Sequence, residues 1–157
     1  MTQWRTLAHI VMDPLAADWR DQLAQRLGER PRRIGAWAEL ALYGARLCLE
    51  AAHEPQLAAG VQLRVGSFSG PMNTTRLIAK QARSSLPQPF AFMQSQPSYA
   101  LAVLSQYLAW QGDARFTLCR DKSALLQLAQ HECGAEGLLF GWLEEDRCTE
   151  WWRFVRA

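Results

Sequence analysis

The nearly continuous apolar stretch GLLFGWLE at residues 137–144 constrains the fold more than any other part of the chain. A strand is apolar on both faces when helices cover both sides of its sheet, as happens in α/β proteins. Two further strands are predicted: VQLRVGS at 61–67, where apolar and polar residues alternate, and ARFTLC at 114–119. Residues 4–12 fit either a short strand or a helical turn, and Pro14 ends that segment.

Helical patterns lie between these strands. The longest runs from about 33 to 53, where apolar residues recur at intervals of three and four and so form one face of a helix. Shorter helices are predicted at 16–27, 72–83, 99–110 and 123–132. Helices that alternate with short apolar strands predict an α/β fold, with helices layered around a β-sheet.

The length and charge of the chain narrow its class. A chain of 157 residues is the size of one ordinary domain. Residues 1–83 carry 11 Lys/Arg against 7 Asp/Glu, and residues 84–157 carry 6 against 8, so neither part has a basic excess typical of nucleic-acid binding. Apolar stretches are interrupted well before the roughly 20 residues that span a bilayer, and the N-terminus lacks the order of a signal peptide. A cytoplasmic protein without a membrane span is expected.

Cysteines and histidines leave two interpretations open. The four cysteines have no CxxC spacing, so reduced thiols are expected, with no metal site and no redox pair; they are Cys48, Cys119, Cys133 and Cys148. His9, His53 or His131 could meet Cys119 or Cys133 in space as a base beside a nucleophile. The alternative is that all of these side chains have packing or surface roles.

Other candidate motifs are incomplete. The string GSFSG at 66–70 has Phe68 at its centre, where a nucleophile elbow needs a serine. The acidic run at 144–146 could hold a magnesium ion, but a carboxylate run after a strand is more typical of a solvated turn. The chain has no Walker phosphate loop and no GxGxxG, so no nucleotide cofactor is expected.

Two surface features suggest partners. A basic cluster near the start of the long helix could dock an acidic partner or a phosphopantetheine phosphate; it consists of Arg26, Arg30, Arg32 and Arg33. The alternative is a solvated helix entrance. Trp151 and Trp152 are adjacent near the C-terminus and are expected to contact another chain, because both cannot easily lie in one compact core.

Four stretches between about residue 32 and 145 carry a family resemblance: RRIGAWAELALYGARLCLEAA, VQLRVGSFSG, LPQPFAFMQSQPSYALAVLSQYLAWQGDARFTLC and GAEGLLFGWLEE. In their order and spacing they resemble the N-terminal half of the thiolase-fold condensing enzymes, the β-ketoacyl synthases. They are most similar to the chain-length-factor domains of aryl-polyene and related polyketide pathways. The resemblance implies a single truncated domain over 1–157, half of a thiolase-like fold with a mixed sheet, in which residues 1–30 are a divergent N-terminal segment.

The resemblance also implies where catalytic groups should be. Active members place a nucleophilic cysteine where the third strand opens into the next helix, because a helix N-terminus lowers the pKa of a thiol. That position is Asp121 here, and Cys119 lies two residues earlier. An aspartate cannot form the thioester, and the family's catalytic histidines come from a C-terminal half that this sequence does not contain. The chain is therefore not expected to be an enzyme on its own.

These features together predict a non-catalytic, chain-length-factor-like subunit that pairs with an active ketosynthase in fatty-acid-like, polyene or polyketide biosynthesis. The contact is expected along the strand at 114–119 and the segment at 89–99, with the arginine cluster facing an acyl carrier protein. The predicted interface residues are Phe116, Leu118, Phe90, Phe92, Trp151 and Trp152. Two alternatives are a small acyl-transfer enzyme with Cys119 as nucleophile and His53 or His131 as base, and a self-associating structural protein.

Overall fold

A computed structural model describes residues 3–84 and 88–157 of the chain. They form a mixed five-stranded sheet in the order β1-β5-β4-β2-β3. The strands are β1 (Trp4–Met12), β2 (Gln62–Ser67), β3 (Ala114–Leu118), β4 (Leu138–Glu144) and β5 (Cys148–Arg156). The helices are α1 (Trp19–Leu27), α2 (Gly35–Ala51), α3 (Met72–Ser84), α4 (Pro89–Gln94), α5 (Tyr99–Tyr107) and α6 (Lys122–Glu132).

The three strands predicted from the sequence form the parallel part of the sheet. β2 lies between β3 and β4 and is parallel to both. β4 is central and buried along almost its whole length, as its apolar sequence predicts. β3 is the edge strand on this side, and its exposed residues alternate with half-buried ones.

β1 and β5 complete the other side of the sheet. β5 pairs antiparallel with β4 and with β1, so the open question about residues 4–12 is resolved as a strand. Of the divergent segment at 1–30, Trp4–Met12 is thus part of the same sheet and Trp19–Leu27 forms α1, which packs on α2 and is followed by Gly28 with a left-handed φ of 77°. β5 was not predicted, because adjacent tryptophans and charged residues hide its period of two.

The position of β5 corrects the interface prediction for Trp151. Neighbouring residues of a strand point to opposite faces of the sheet. Trp151 therefore points into the core on the α2 side, where it is 0% exposed, and Trp152 lies half-buried on the α6 side. A partner chain cannot reach Trp151, so it does not belong to an interface.

Helices cover the sheet unequally. α2, with α1 and α5 beside it, packs on one face and forms the larger core. α6 packs on the other face against β2 and β4 and forms a smaller core around Leu125, Phe140 and Phe154. Two helices differ from the sequence prediction: α4 was not predicted, and α5 ends at Tyr107 and not at about 110. Pro89 suits the first turn of α4. The prolines of SSLPQP at 84–89 predict a loop before α4, and residues 85–87 of it lie outside the described residues.

Candidate functional site

The ends of the three parallel strands form the candidate site. β2 ends at Ser67, β3 at Leu118 and β4 at Glu144, so their carboxyl ends meet at one edge of the sheet. Ligands of open α/β sheets bind at this edge. The backbone N–H of Cys119 donates to the carbonyl of Ser67 at 3.0 Å, which holds the two loops together there.

Asp121, which the sequence resemblance predicts at the nucleophile position, caps α6. Its backbone is extended, and its carboxylate accepts a hydrogen bond from the N–H of Ala124 at 3.0 Å. A helix leaves its first N–H groups without internal partners, and an aspartate at this position satisfies one of them. The thiol of Cys119 is half-buried and donates to the carbonyl oxygen of Asp121 at 3.3 Å. The group held at the helix N-terminus is therefore a carboxylate.

Glu144 fixes the loop that follows β2. Its carboxylate accepts from the backbone N–H of Phe68 at 2.6 Å and from the hydroxyl of Ser69 at 2.8 Å. The hydroxyl of Ser67 accepts from the N–H of Gly70 at 2.8 Å. The GSFSG string is thus a hydrogen-bonded turn anchored to the neighbouring strand, and its serines are occupied in holding that turn.

The other two residues of the acidic run, Glu145 and Asp146, form hydrogen bonds with the start of α3. The carboxylate of Glu145 accepts from the N–H of Asn73 at 2.7 Å, and Asp146 accepts from the side-chain amide of Asn73. Burial raises the pKa of Glu145, and the Asn73 N–H opposes that shift. The acidic run was expected to be a solvated turn, but its carboxylates bind the start of α3. Within residues 3–84 and 88–157, no group of three His, Cys, Asp or Glu side chains could hold a metal ion.

A cavity of about 560 Å³ opens at this edge of the sheet. Three cationic side chains line it together with four carboxylates, so it has no excess of positive charge. The lining residues are Val11, Asp13, Phe68, Ser69, Arg120, Lys122, Trp142, Glu144, Glu145, Arg147, Cys148 and Glu150. Its aromatic members, Phe68 and Trp142, give it an apolar side.

Glu150 organises one wall of the cavity. Its carboxylate contacts Nε2 of His9 at 2.9 Å and pairs with Lys122, the first residue of α6. The His9 ring stacks on Trp152, with ring centroids 4.6 Å apart. His9 is thus the histidine nearest the cavity wall, which the sequence could not indicate because its partners lie about 140 residues further along the chain.

The other predicted base residues lie elsewhere. His53 follows the end of α2, is exposed and has a φ of 56°. His131 is in the last turn of α6, about 15 Å along the helix axis from Asp121 at 1.5 Å per residue. Among the described hydrogen bonds, none joins either histidine to Cys119. Burial raises the pKa of the remaining thiols, for Cys48 to about 12 and also for Cys133 and Cys148.

The predicted interface residues divide into exposed and packed ones. Leu118, Phe90 and Phe92 are between 54% and 57% exposed. Phe116 is half-buried, with its ring edge-on to Trp37 at 5.9 Å between centroids. Leu118 at the end of β3 and the two phenylalanines of α4 are therefore available to a partner, and Phe116 is available in part.

The arginine cluster is not one surface. Arg26 is engaged by Glu50 at 3.0 Å and by the carbonyl of Gln22. The Arg33 guanidinium lies 5.8 Å from the ring centroid of Phe90. Arg30 and Arg32 are exposed. Only these last two are fully available as free cations.

The comparison with known proteins rests on structure. No protein-family model matches the sequence, and no curated protein matches it. The structure is similar to one described as a ketosynthase (ApeO) in complex with its chain length factor (ApeC) from Xenorhabdus doucetiae, with a TM-score of 0.63 and 12% sequence identity. The similarity covers 100% of this chain and 80% of that chain. The chain has a thiolase-like fold.

This confirms the predicted fold, and the similarity includes the first 30 residues, which the sequence resemblance did not cover. A second similar structure is a tetronic acid condensing enzyme, with a TM-score of 0.49 and 13% identity. That match covers 98% of this chain and 55% of the enzyme, so the chain spans just over half of its length. No helix among the described residues is long and apolar enough to cross a membrane.

Proposed function

We propose that this thiolase-like chain is a non-catalytic subunit that pairs with an active ketosynthase in a fatty-acid-like, polyene or polyketide pathway. The observation that carries the proposal is the capping of α6 by Asp121. A condensing enzyme needs a thiolate at a helix N-terminus, because the dipole stabilises the negative sulfur that attacks the acyl group. A carboxylate in that place stabilises the helix and forms no acyl thioester.

The partner is inferred from the free edge of the sheet. β3 pairs with β2 on one side only, so its other side offers unpaired backbone groups to a second strand. Leu118, at the end of β3, and Phe90 and Phe92, on α4, add exposed apolar surface, which a protein partner would bury. The similar structure from Xenorhabdus doucetiae is a ketosynthase with its chain length factor, and the match leaves only about one fifth of the matched chain uncovered.

An acyl carrier protein is a second proposed partner of the assembled pair. Arg30 and Arg32 are exposed at the entrance to α2 and would attract acidic side chains. Substituting both with glutamine should then weaken carrier-protein binding to the pair and leave the pairing itself intact.

The proposal is tested by capturing tagged protein from its own host, identifying co-purified chains by mass and sizing the complex by light scattering. Leu118→Arg places a charge beside the proposed strand contact, and Thr6→Arg is the matched control because Thr6 is exposed on β1, the opposite edge strand, away from the cavity. Wild type and the control should recover a ketosynthase in equal amounts, and Leu118→Arg should recover little of it. Recovery of the protein alone, as a monomer, would reject the pairing, and a self-oligomer would favour the structural alternative.

A further inference from the structure

The segment between Glu54 and Asp113 contains no acidic residue. Its four cations are Arg64, Arg76, Lys80 and Arg83. Arg64 is buried and pairs with Asp113 at 2.6 Å, so its charge is balanced. The other three all belong to α3, and no ion pair involves them in the part of the chain that the structure describes.

The three cations form a stripe on the outer side of α3. At about 100° per residue, Arg76, Lys80 and Arg83 fall within an arc of about 60°. The half-buried residues of the helix, which include Ile78 and Gln81, lie on the opposite side. The stripe therefore faces away from the protein.

Exposed apolar side chains accompany the stripe. Met72, at the start of α3, lies at one border of the arc and is 38% exposed, and Leu77 lies beyond the other border and is 51% exposed. α3 has no buried residue at all. The helix thus lies on the surface as a convex ridge that carries long cationic side chains between apolar ones.

We infer that α3 binds an anionic lipid surface, with its axis along the plane of the membrane. Each Lys or Arg close to an anionic membrane surface adds about 1 kcal/mol of attraction, and exposed apolar side chains beside it add binding by shallow insertion at the headgroup layer. A convex ridge of flexible cations suits a deformable headgroup layer better than a rigid protein surface, which needs close shape complementarity. The inference is independent of ketosynthase pairing, which is proposed for β3.

Vesicle co-sedimentation tests this assignment on the full chain. The protein should sediment with vesicles of equal parts phosphatidylcholine and phosphatidylglycerol, but not with phosphatidylcholine alone. Binding should weaken as salt is raised, because salt screens surface charges. The triple variant Arg76→Gln, Lys80→Gln, Arg83→Gln should reduce the fraction bound at least about tenfold.

A second triple variant, with the same change in net charge, distinguishes the effect of the α3 stripe on binding from the effect of net charge. Arg5→Gln, Arg120→Gln, Arg147→Gln removes three exposed cations elsewhere and should leave most of the binding in place. Leu77→Gln should weaken the binding that remains at moderate salt, and thermal unfolding checks that each variant is folded. Absence of binding to the anionic vesicles, equal loss in both triple variants, or equally strong binding to duplex DNA with no effect of Leu77→Gln would overturn the inference.

Discussion

The carboxylate of Asp121 accepts a hydrogen bond from the backbone N–H of Ala124 at 3.0 Å, at the start of the helix that follows the third parallel strand. This contact stabilises α6, which covers one face of the sheet almost alone. The residue predicted at the nucleophile position thus has a structural role of its own.

Asp121→Ala should lower the free energy of unfolding by about 1 kcal/mol, because it removes the side-chain cap. Asp121→Asn should remain close to wild type, since an asparagine oxygen accepts the same hydrogen bond. Urea unfolding followed by circular dichroism measures both. Equal stability of the alanine variant and the wild type would show that the cap contributes nothing.

Glu144→Ala should release the turn after β2. The variant removes the acceptor for the Phe68 N–H at 2.6 Å and for the Ser69 hydroxyl, and hydrogen bonds to a charged group contribute about 1.5–3 kcal/mol each. Because both donors lie near the surface, water can replace part of the lost hydrogen bonding. The free energy of unfolding is therefore expected to fall by about 1–2 kcal/mol. Hydrogen exchange at the Phe68 amide should accelerate strongly in Glu144→Ala and less in Glu144→Gln, whose amide oxygen still accepts.

Much of the fold could be predicted from local patterns. Period-two alternation identified β2, continuous apolar sequence identified β4, and three- and four-residue spacing identified α2. β5 was missed because Trp151 and Trp152 stand side by side, which conceals that one points to each face of the sheet. A strand that buries large side chains on both sides has no simple alternation to detect.

The site was less accessible to sequence reasoning. The position of Asp121 follows from its spacing to the strand and helix around it, so its place at the start of α6 was predicted. The contacts of Glu144 with Phe68 and of His9 with Glu150 join residues 76 and 141 positions apart. Pairings at that distance depend on strand order, and the order β1-β5-β4-β2-β3 cannot be obtained from periodicity.

Gly44→Ala should destabilise the protein although alanine is the better helix former. A Cβ at this position would lie 2.2 Å from Oγ1 of Thr149 and 2.2 Å from Nε1 of Trp151, which are hydrogen-bonded to each other at 2.8 Å. Overpacking of this kind costs about 1–3 kcal/mol, more than the helix gains. Gly134→Ala is the control, because its added Cβ would meet nothing within 4 Å. A stabilised Gly44→Ala variant in thermal unfolding would contradict the close packing of α2 on β5.

The Arg64–Asp113 ion pair should make the free energy of unfolding depend on pH. The hydrogen bond from Arg64 is the main cause that lowers the pKa of the Asp113 carboxyl below its usual value. A carboxyl whose pKa is lowered in the folded state stabilises the protein at pH values above its unfolded-state pKa. That stabilisation is lost as the pH falls through the folded-state pKa. Asp113→Asn should cost about 1 kcal/mol at neutral pH, reduced by the partial exposure of the carboxylate. In urea unfolding across pH, the gap from wild type should close below about pH 4; a gap independent of pH would exclude the ionised carboxylate as its source.

Alkylation separates the non-catalytic proposal from the enzyme with Cys119 as nucleophile. Cys119 is half-buried, whereas the other three thiols are buried and have raised pKa values, so native protein should label at Cys119 first. An activated thiolate would react with iodoacetamide much faster than free cysteine near neutral pH and would stay reactive as the pH falls. We expect neither behaviour, because the hydrogen bond described for the Cys119 thiol is to a backbone carbonyl and none among the described residues joins it to a base. Rapid labelling that persists at mildly acidic pH and disappears in Cys119→Ser would favour the acyl-transfer alternative.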